Sequence, residues 1–447
     1  MKQNYHHALR FNRRQWLRVA TASGAVGTAG NSWLSSLAAD TLTDPRRKRS
    51  CILLWMPGGP SQTDTFDMKP GHDNGGPFKS IATSVPGINI CEHLPTIASQ
   101  MDRLAIIRSM QTHEADHDRA AFYLRTGYKP QAGIQYPSLG SLISHQHHDA
   151  ESAMPGFVSV ASPRLASDSS YGAGYLSPSY SPMLVGNTSN LANFANPDRF
   201  SDERLAMPEL HRPSSVTPQQ YIERLELLKR LQAPFSQQHP GIGPSAIKSA
   251  QERAIRLAAS PLIKTFDLTG EPEKLREEYG MNLFGQSCLL ARRLVEQNVP
   301  FIELTLGGWD THIDNFTAVR QLATILDRGW GTLMRDLEDR GLLESTLIVW
   351  MGEFGRTPTI NPQSGRDHFP SAWTTVLAGG GIQGGQVYGS SSADGTEVEE
   401  NPVSVPDLLA TVCQALGIDS TQQLPSNVGR PIRIVDKEAS PIKQVLS

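Results

Sequence analysis

The sequence predicts an α/β fold: a mostly parallel central sheet with helices on both faces and a helical and loop insertion. Three observations carry that prediction. Apolar runs such as 51–56 and 299–306 are short and uninterrupted, as buried parallel strands are. Between residues 283 and 351, stretches of helical periodicity alternate with such runs, the pattern of a sheet covered on both faces. Carboxylates, imidazoles and glycines follow the runs instead of interrupting them, which places them in loops where strand ends open a crevice.

Taken in order, residues 51–56 are the first strand candidate, stopped by Pro57-Gly58-Gly59-Pro60. Residues 104–107 are a second, and 115–124 read as a helix after it. From about 161 to 213 Ser, Pro, Asn, Gly and Tyr dominate, which predicts long loops. Helical periodicity returns at Tyr221, Ile222, Leu225, Leu228 and Leu231 and again over 247–263, giving an insertion that spans about 161–270. A helix over 283–296, a strand over 300–306, a helix over 316–339 and a strand over 346–351 follow. In the long helix Phe316, Val319, Leu322, Leu326, Leu333 and Leu337 share one face, and Arg340-Gly341 is the stop signal. A last strand, 374–377, runs into Gly379-Gly380-Gly381, which reads as a turn because no helix opens there. Residues 406–416 form a terminal helix with Pro at its start.

The chain has 447 residues, of which 38% are hydrophobic, enough for a sizeable core. A formal net charge of -3 argues against a nucleic-acid binder. The dense basic cluster Arg46-Arg47-Lys48-Arg49 reads as part of a linker over 40–50. Cys51, Cys91, Cys288 and Cys413 form no CxxC pair, so neither a zinc ribbon nor a redox motif is indicated. Asn12-Arg13-Arg14-Gln15-Trp16-Leu17-Arg18 resembles a twin-arginine export signal, and Ser36-Leu37-Ala38-Ala39 supplies the small residues a signal peptidase accepts. The expectation is a signal peptide over 1–39, handled by the twin-arginine export machinery, and a mature protein in the periplasm or outside the cell. No later stretch reaches the length of a membrane-spanning helix, so no stable membrane insertion is expected once the signal is removed.

Four clusters carry chemistry. Ser61 to Asp67 offers Asp64 and Asp67, types that also serve as ordinary turn residues. In Thr112-His113-Glu114-Ala115-Asp116-His117-Asp118-Arg119, a helix would put His113 and His117 on one face to share a metal. The string His-Glu-x-x-His makes a zinc protease a competing reading, opposed by its polar surroundings. In Trp309-Asp310-Thr311-His312, residues two apart in an extended loop point the same way, so Asp310 and His312 can reach one ion. Trp309 would shield that ion or line a pocket, while the structural alternative is that Asp310 or Thr311 caps the next helix. Glu353 with Arg356, and Asp367 with His368, complete the set. An arginine fork suits phosphate or sulfate, and it suits a neighbouring carboxylate equally well. His145-Gln146-His147-His148 reads as solvated surface.

Several of these segments together resemble a known family. Leu54-Trp55-Met56-Pro57-Gly58-Gly59-Pro60-Ser61-Gln62-Thr63-Asp64-Thr65-Phe66-Asp67, Ala291-Arg292-Arg293-Leu294-Val295-Glu296, Gly308-Trp309-Asp310-Thr311-His312, Gly352-Glu353-Phe354-Gly355-Arg356-Thr357-Pro358 and Gly365-Arg366-Asp367-His368 resemble the bacterial family catalogued as domain of unknown function 1501. That family is grouped with the alkaline phosphatase and sulfatase superfamily, whose members use divalent metals and a loop nucleophile on phosphate or sulfate esters. The resemblance implies an alkaline-phosphatase-like fold and a divalent metal: zinc, calcium, magnesium or manganese. The chain departs from the superfamily pattern at Pro57, where Asp is usual, and at Glu353 and Phe354, where a metal-binding pair is usual. It has no Cys-x-Pro-Ser-Arg signature, which leaves Thr112 as the candidate nucleophile.

The expectation is therefore a metal-dependent hydrolase of a small-molecule or glycan ester. Asp310, His312, Glu353, Asp367 and His368 are its expected metal ligands, with Asp64, His113 and His117 as further candidates. Arg356 or Arg366 would hold the anion. The alternative is a non-catalytic protein that binds sulfated or phosphorylated glycans in the same crevice.

Overall fold

Ser50–Trp55 is buried at every position and forms β1, near the middle of an eight-stranded sheet. Its side chains alternate between two cores. Ile52 and Leu54 enter one; Cys51, Leu53 and Trp55 enter the other, the period-two consequence of an extended backbone. The other strands are β2 (Leu104–Met110), β3 (Phe157–Val160), β4 (Met183–Val185), β5 (Phe301–Thr305), β6 (Thr346–Met351), β7 (Trp373–Gly379) and β8 (Gln386–Tyr388), in the spatial order β8-β2-β7-β6-β1-β5-β3-β4. All pairings are parallel except the two made by β7. Trp55 stands level with Thr305 and with Met351, so the loops after β1, β5 and β6 leave the sheet together.

These features belong to a computed structural model that describes residues 49–149, 152–162, 170–186, 205, 207, 214–239 and 241–447. The chain divides into Met1–Arg47 and Lys48–Ser447, and the sheet lies in the second unit. The export signal expected over 1–39 and nearly all of the linker over 40–50 lie outside the described residues.

The longer helices among the described residues are α1 (His117–Thr126), α2 (Leu139–His147), α3 (Pro218–Gln238), α4 (Ile242–Ala258), α5 (Leu283–Glu296), α6 (Asn315–Asp339) and α7 (Val405–Ala415). Leu294 of α5 and Leu326 and Leu333 of α6 pack with Ile52, Leu54, Ile302 and Leu304. On the opposite face Leu124, Leu142 and Leu409 bring α1, α2 and α7 onto Leu53, Trp55 and Phe301. Helices on both faces are thus observed as expected. Among the described residues, no helix is long and apolar enough to cross a membrane.

The segment Ala291 to Glu296 has a structural role. Buried Arg292 reaches Glu271 at 2.7 Å, Glu296 at 3.0 Å and Asp336 at 3.0 Å, while Arg293 reaches Glu271 at 2.6 Å. This network ties α5 to α6 and to the loop before them. α3 and α4 are helices within the stretch 161–270, as the periodicity there predicts, and α3 leaves Ile222, Leu227 and Leu231 exposed. All four cysteines are free and buried.

The structure departs from the sequence reading at four places. β3 and β4 extend the sheet across a stretch expected to be looped at its β4 end. β7 runs against its neighbours. α1 begins at His117 instead of Ala115, so His113 precedes the helix and the two histidines of His-Glu-x-x-His share no helical face, which removes the zinc-protease reading. His145 and His147 are half-buried, and His147 Nε2 is enclosed without a hydrogen-bond partner.

Candidate metal centre

The site forms where the loops after β1, β5 and β6, the segment before β7 and the start of α1 meet. Glycines permit the approach. A Cβ on Gly58, whose φ is +108°, would lie 2.3 Å from Asp310 N, and one on Gly365 would lie 1.8 Å from His312 O. The two-residue ladder that pairs His368 with Arg356 carries His368 to the same place.

Three histidines are held in one manner. His117 Nδ1 is 2.6 Å from Glu353 Oε1, His312 Nδ1 is 2.7 Å from Asp367 Oδ1, and His368 Nδ1 is 2.7 Å from the Ala115 carbonyl. Each acceptor fixes a proton on Nδ1 and turns Nε2 inward. The three Nε2 atoms converge on Asp310 Oδ1, at 3.5 Å from His117, 3.1 Å from His312 and 3.3 Å from His368. His312 Nε2 and His368 Nε2 are 3.0 Å apart. A tetrahedral zinc with bonds of about 2.0–2.1 Å separates its donors by about 3.3–3.4 Å, close to these separations. His117, Asp310 and His368 lie together within 4.8 Å.

The electrostatics also fit a cation. Asp310 and then Glu353 raise the His117 pKa to about 9 against the effect of burial, so a proton sits where the field favours positive charge. Its Nε2 is buried without a hydrogen bond, an atom that a metal would satisfy. Burial pushes His368 below its ordinary value, and the Arg356 and His117 charges add to that; a neutral imidazole is the form that ligates. Burial alone would raise Asp310, but His117 and Arg356 outweigh it and hold the carboxylate ionised. The bond from His312 does the same for exposed Asp367. A cavity of about 590 Å³ opens beside His117 and His368, lined also by Ala115, Asp116, Asp118 and Arg119.

The model for the family described as "Protein of unknown function (DUF1501)" matches residues 48–446. The chain belongs to the DUF1501 family. No curated protein matches it. Similar solved structures include Ps i-CgsB, at 14% identity and a TM-score of 0.39 over 83% of this chain and 72% of that one. PsFucS1 sulfatase from Pseudoalteromonas sp. is similar at 16% identity and a TM-score of 0.40, over 87% and 72%. A protein in the alkaline phosphatase superfamily from Vibrio parahaemolyticus is similar at 10% identity and a TM-score of 0.40, over 88% and 76%.

In this DUF1501 protein the expected site residues separate into distinct groups. Asp310, His312, His368 and His117 come together, with Asp310 at the centre. Glu353 and Asp367, expected as ligands, stand behind His117 and His312 and orient them, as outer carboxylates do for metal-binding histidines. Glu353 Oε1 also accepts from Gly58 N at 2.8 Å. His113 lies on an exposed bend outside the cluster. Asp64 is fully buried in a bidentate pair with Arg366, at 2.7 and 3.0 Å, and accepts from Asn315 at 2.8 Å. Asp67 binds Lys69 and Ser391.

The anion-holding role expected of the arginines does not match the geometry. Arg366 spends its N–H groups on Asp64, Thr357 O, Pro358 O and Asn74 O. Arg356, also fully buried, donates to Gly58 O, Gly59 O, Arg366 O and Asp310. Both cross-link the site loops. Trp309 is fully buried in the core, and Asp314, not Asp310 or Thr311, occupies the position before α6. Buried Thr112 has no hydrogen-bond partner for its hydroxyl, so no base is hydrogen-bonded to it in this structure. Two groups at the site escape sequence reasoning: the Ala115 carbonyl, which no side-chain motif marks, and Asn361, which donates to His312 O at 2.9 Å.

Proposed function

We propose that the crevice binds a divalent metal through His117, His312, His368 and Asp310 and hydrolyses phosphate or sulfate esters. The observation that carries this reading is the convergence of three anchored imidazoles on one carboxylate oxygen. A donor set rich in imidazole suits zinc better than calcium, magnesium or manganese, which favour oxygen. The metal would polarise the ester and activate water. The protein's own residues keep the imidazoles aligned through Glu353, Asp367 and Ala115 O, and Arg356 fixes Asp310. The cavity beside His117 and His368 gives a substrate its approach. The sequence resemblance to the alkaline phosphatase and sulfatase superfamily supports the choice of ester.

The test is metal analysis of purified protein, with and without Asp310→Ala plus His312→Ala, followed by a panel of phosphate and sulfate esters. Unchanged metal content in the double variant sinks the site. The partnerless Thr112 hydroxyl favours a second reading, a binding protein for sulfated or phosphorylated glycans; metal-dependent turnover lost in Glu353→Gln would exclude it. Export follows from Arg13 and Arg14, and replacing both by Lys should leave the protein in the cytoplasm.

A further inference from the structure

Arg125 and Glu303 form a charge pair deep inside the molecule, outside the group of imidazoles around Asp310 but near enough to Glu353 for Arg125 to feel its charge. Arg125 Nη1 is 2.6 Å from Glu303 Oε2 and Nη2 is 2.8 Å from Oε1, with side-chain exposures of 3% and 1%. The guanidinium lies 4.4 Å from the Trp55 ring and 3.8 Å from the Tyr171 ring, and it donates to the Tyr171 hydroxyl at 2.8 Å. Removing two charges from water costs several kcal/mol per ion, and apolar partners of similar volume often stabilise as well or better. Leu53, Leu124 and Phe301 in the same core show that apolar packing is available there. The pair supplies something that apolar contacts do not, a fixed register.

The register concerned is that of α1 against β5. α1 carries His117 in its first turn and Arg125 in its last; β5 carries Glu303 and leads into Asp310. Among the described residues, the polar side-chain links from α1 to the sheet and the loops after β5 and β6 come from its two ends: His117 meets Glu353 and Asp310, and Arg125 meets Glu303. A slip of one residue along a helix moves a side chain about 1.5 Å along the axis and about 100° around it. That would separate His117 from Asp310. Tyr171 adds the segment leading to β4 to the same anchor.

We propose that Arg125 and Glu303 are positioning residues for His117, a bidentate strut that fixes α1 where its first imidazole meets Asp310. This rests on the metal reading of the site, so the test has a readout independent of metal. Wild type, His117→Ala, Arg125→Lys and the apolar double variant Arg125→Met with Glu303→Leu are titrated with zinc by calorimetry, and amide exchange over 117–126 is measured without metal. The double variant should keep its unfolding midpoint, lose about tenfold or more in zinc affinity, and exchange faster in α1 alone; Arg125→Lys should fall between it and wild type. Zinc affinity within about twofold of wild type together with unchanged exchange overturns the strut. If His117→Ala binds zinc as wild type does, the metal reading fails. Exchange then decides alone: faster exchange confined to α1 upholds the strut, and unchanged exchange overturns it. Should the double variant fail to fold, Arg125→Lys carries the same two readouts.

Discussion

Replacing Asp310 with Asn keeps the side chain's volume and removes the charge on which three imidazoles converge at 3.1, 3.3 and 3.5 Å. Zinc sites with four protein ligands bind with about 10–16 kcal/mol, roughly 2.5–4 kcal/mol per ligand, so the loss should be about 100- to 1000-fold in affinity. Folding should survive, because Arg356 keeps the Gly58, Gly59 and Arg366 carbonyls as acceptors. The pH dependence adds a second measure. With the His117 pKa raised to about 9, zinc must displace a proton at neutral pH, so wild-type affinity should rise about tenfold per pH unit towards that value. The Asp310→Asn substitution removes the largest cause of the raised pKa and should flatten the slope. Competition against a chromophoric chelator at about pH 6, 7 and 8 measures both, on either side of the ordinary imidazole value. Affinity of the Asp310→Asn variant within about threefold of wild type, or wild-type affinity flat with pH, would remove Asp310 and His117 from the metal's ligands.

Three other outcomes are expected. Asp64→Ala leaves fully buried Arg366 without its carboxylate and should cost about 3–5 kcal/mol in urea unfolding; a cost below about 1 kcal/mol would show that the backbone acceptors suffice. Gly365→Ala would drive a Cβ into the His312 carbonyl, so zinc affinity should fall while the far-ultraviolet circular dichroism of the sheet and helices is kept. In metal-free protein His117 has a raised pKa, so its contribution to stability is complete below about 6.5 and is lost as pH rises through about 9. Thermal unfolding across that window should show the decline with metal removed and none in His117→Ala.

Much of the sheet was legible because its strands are apolar runs ended by Gly and Pro. Direction was not, since periodicity carries none; the signal lay in the connection. No long helical stretch separates Met351 from Trp373, and without a crossover helix the return strand β7 runs antiparallel. β3 and β4 were hidden by their brevity and by the Ser- and Pro-rich sequence around them. At the site, Asp310, His312 and His368 were legible as metal-ligand types placed just after or before strands. The difference between a ligand and the group behind it was not. Glu353 and Asp367 are the right residue types at the right loops, and only the direction of each imidazole shows that they face Nδ1 atoms. Arg356 and Arg366 misled in the same way, because a fork that suits an anion also suits carbonyls and Asp64.

Anomalous diffraction at the zinc edge, from crystals of the zinc-loaded protein, would locate the metal itself. The expected result is a peak within about 2.0–2.2 Å of His117 Nε2, His368 Nε2 and an Asp310 oxygen, with His312 Nε2 as the next donor. A peak elsewhere, or none at saturating zinc, would rule out this metal centre.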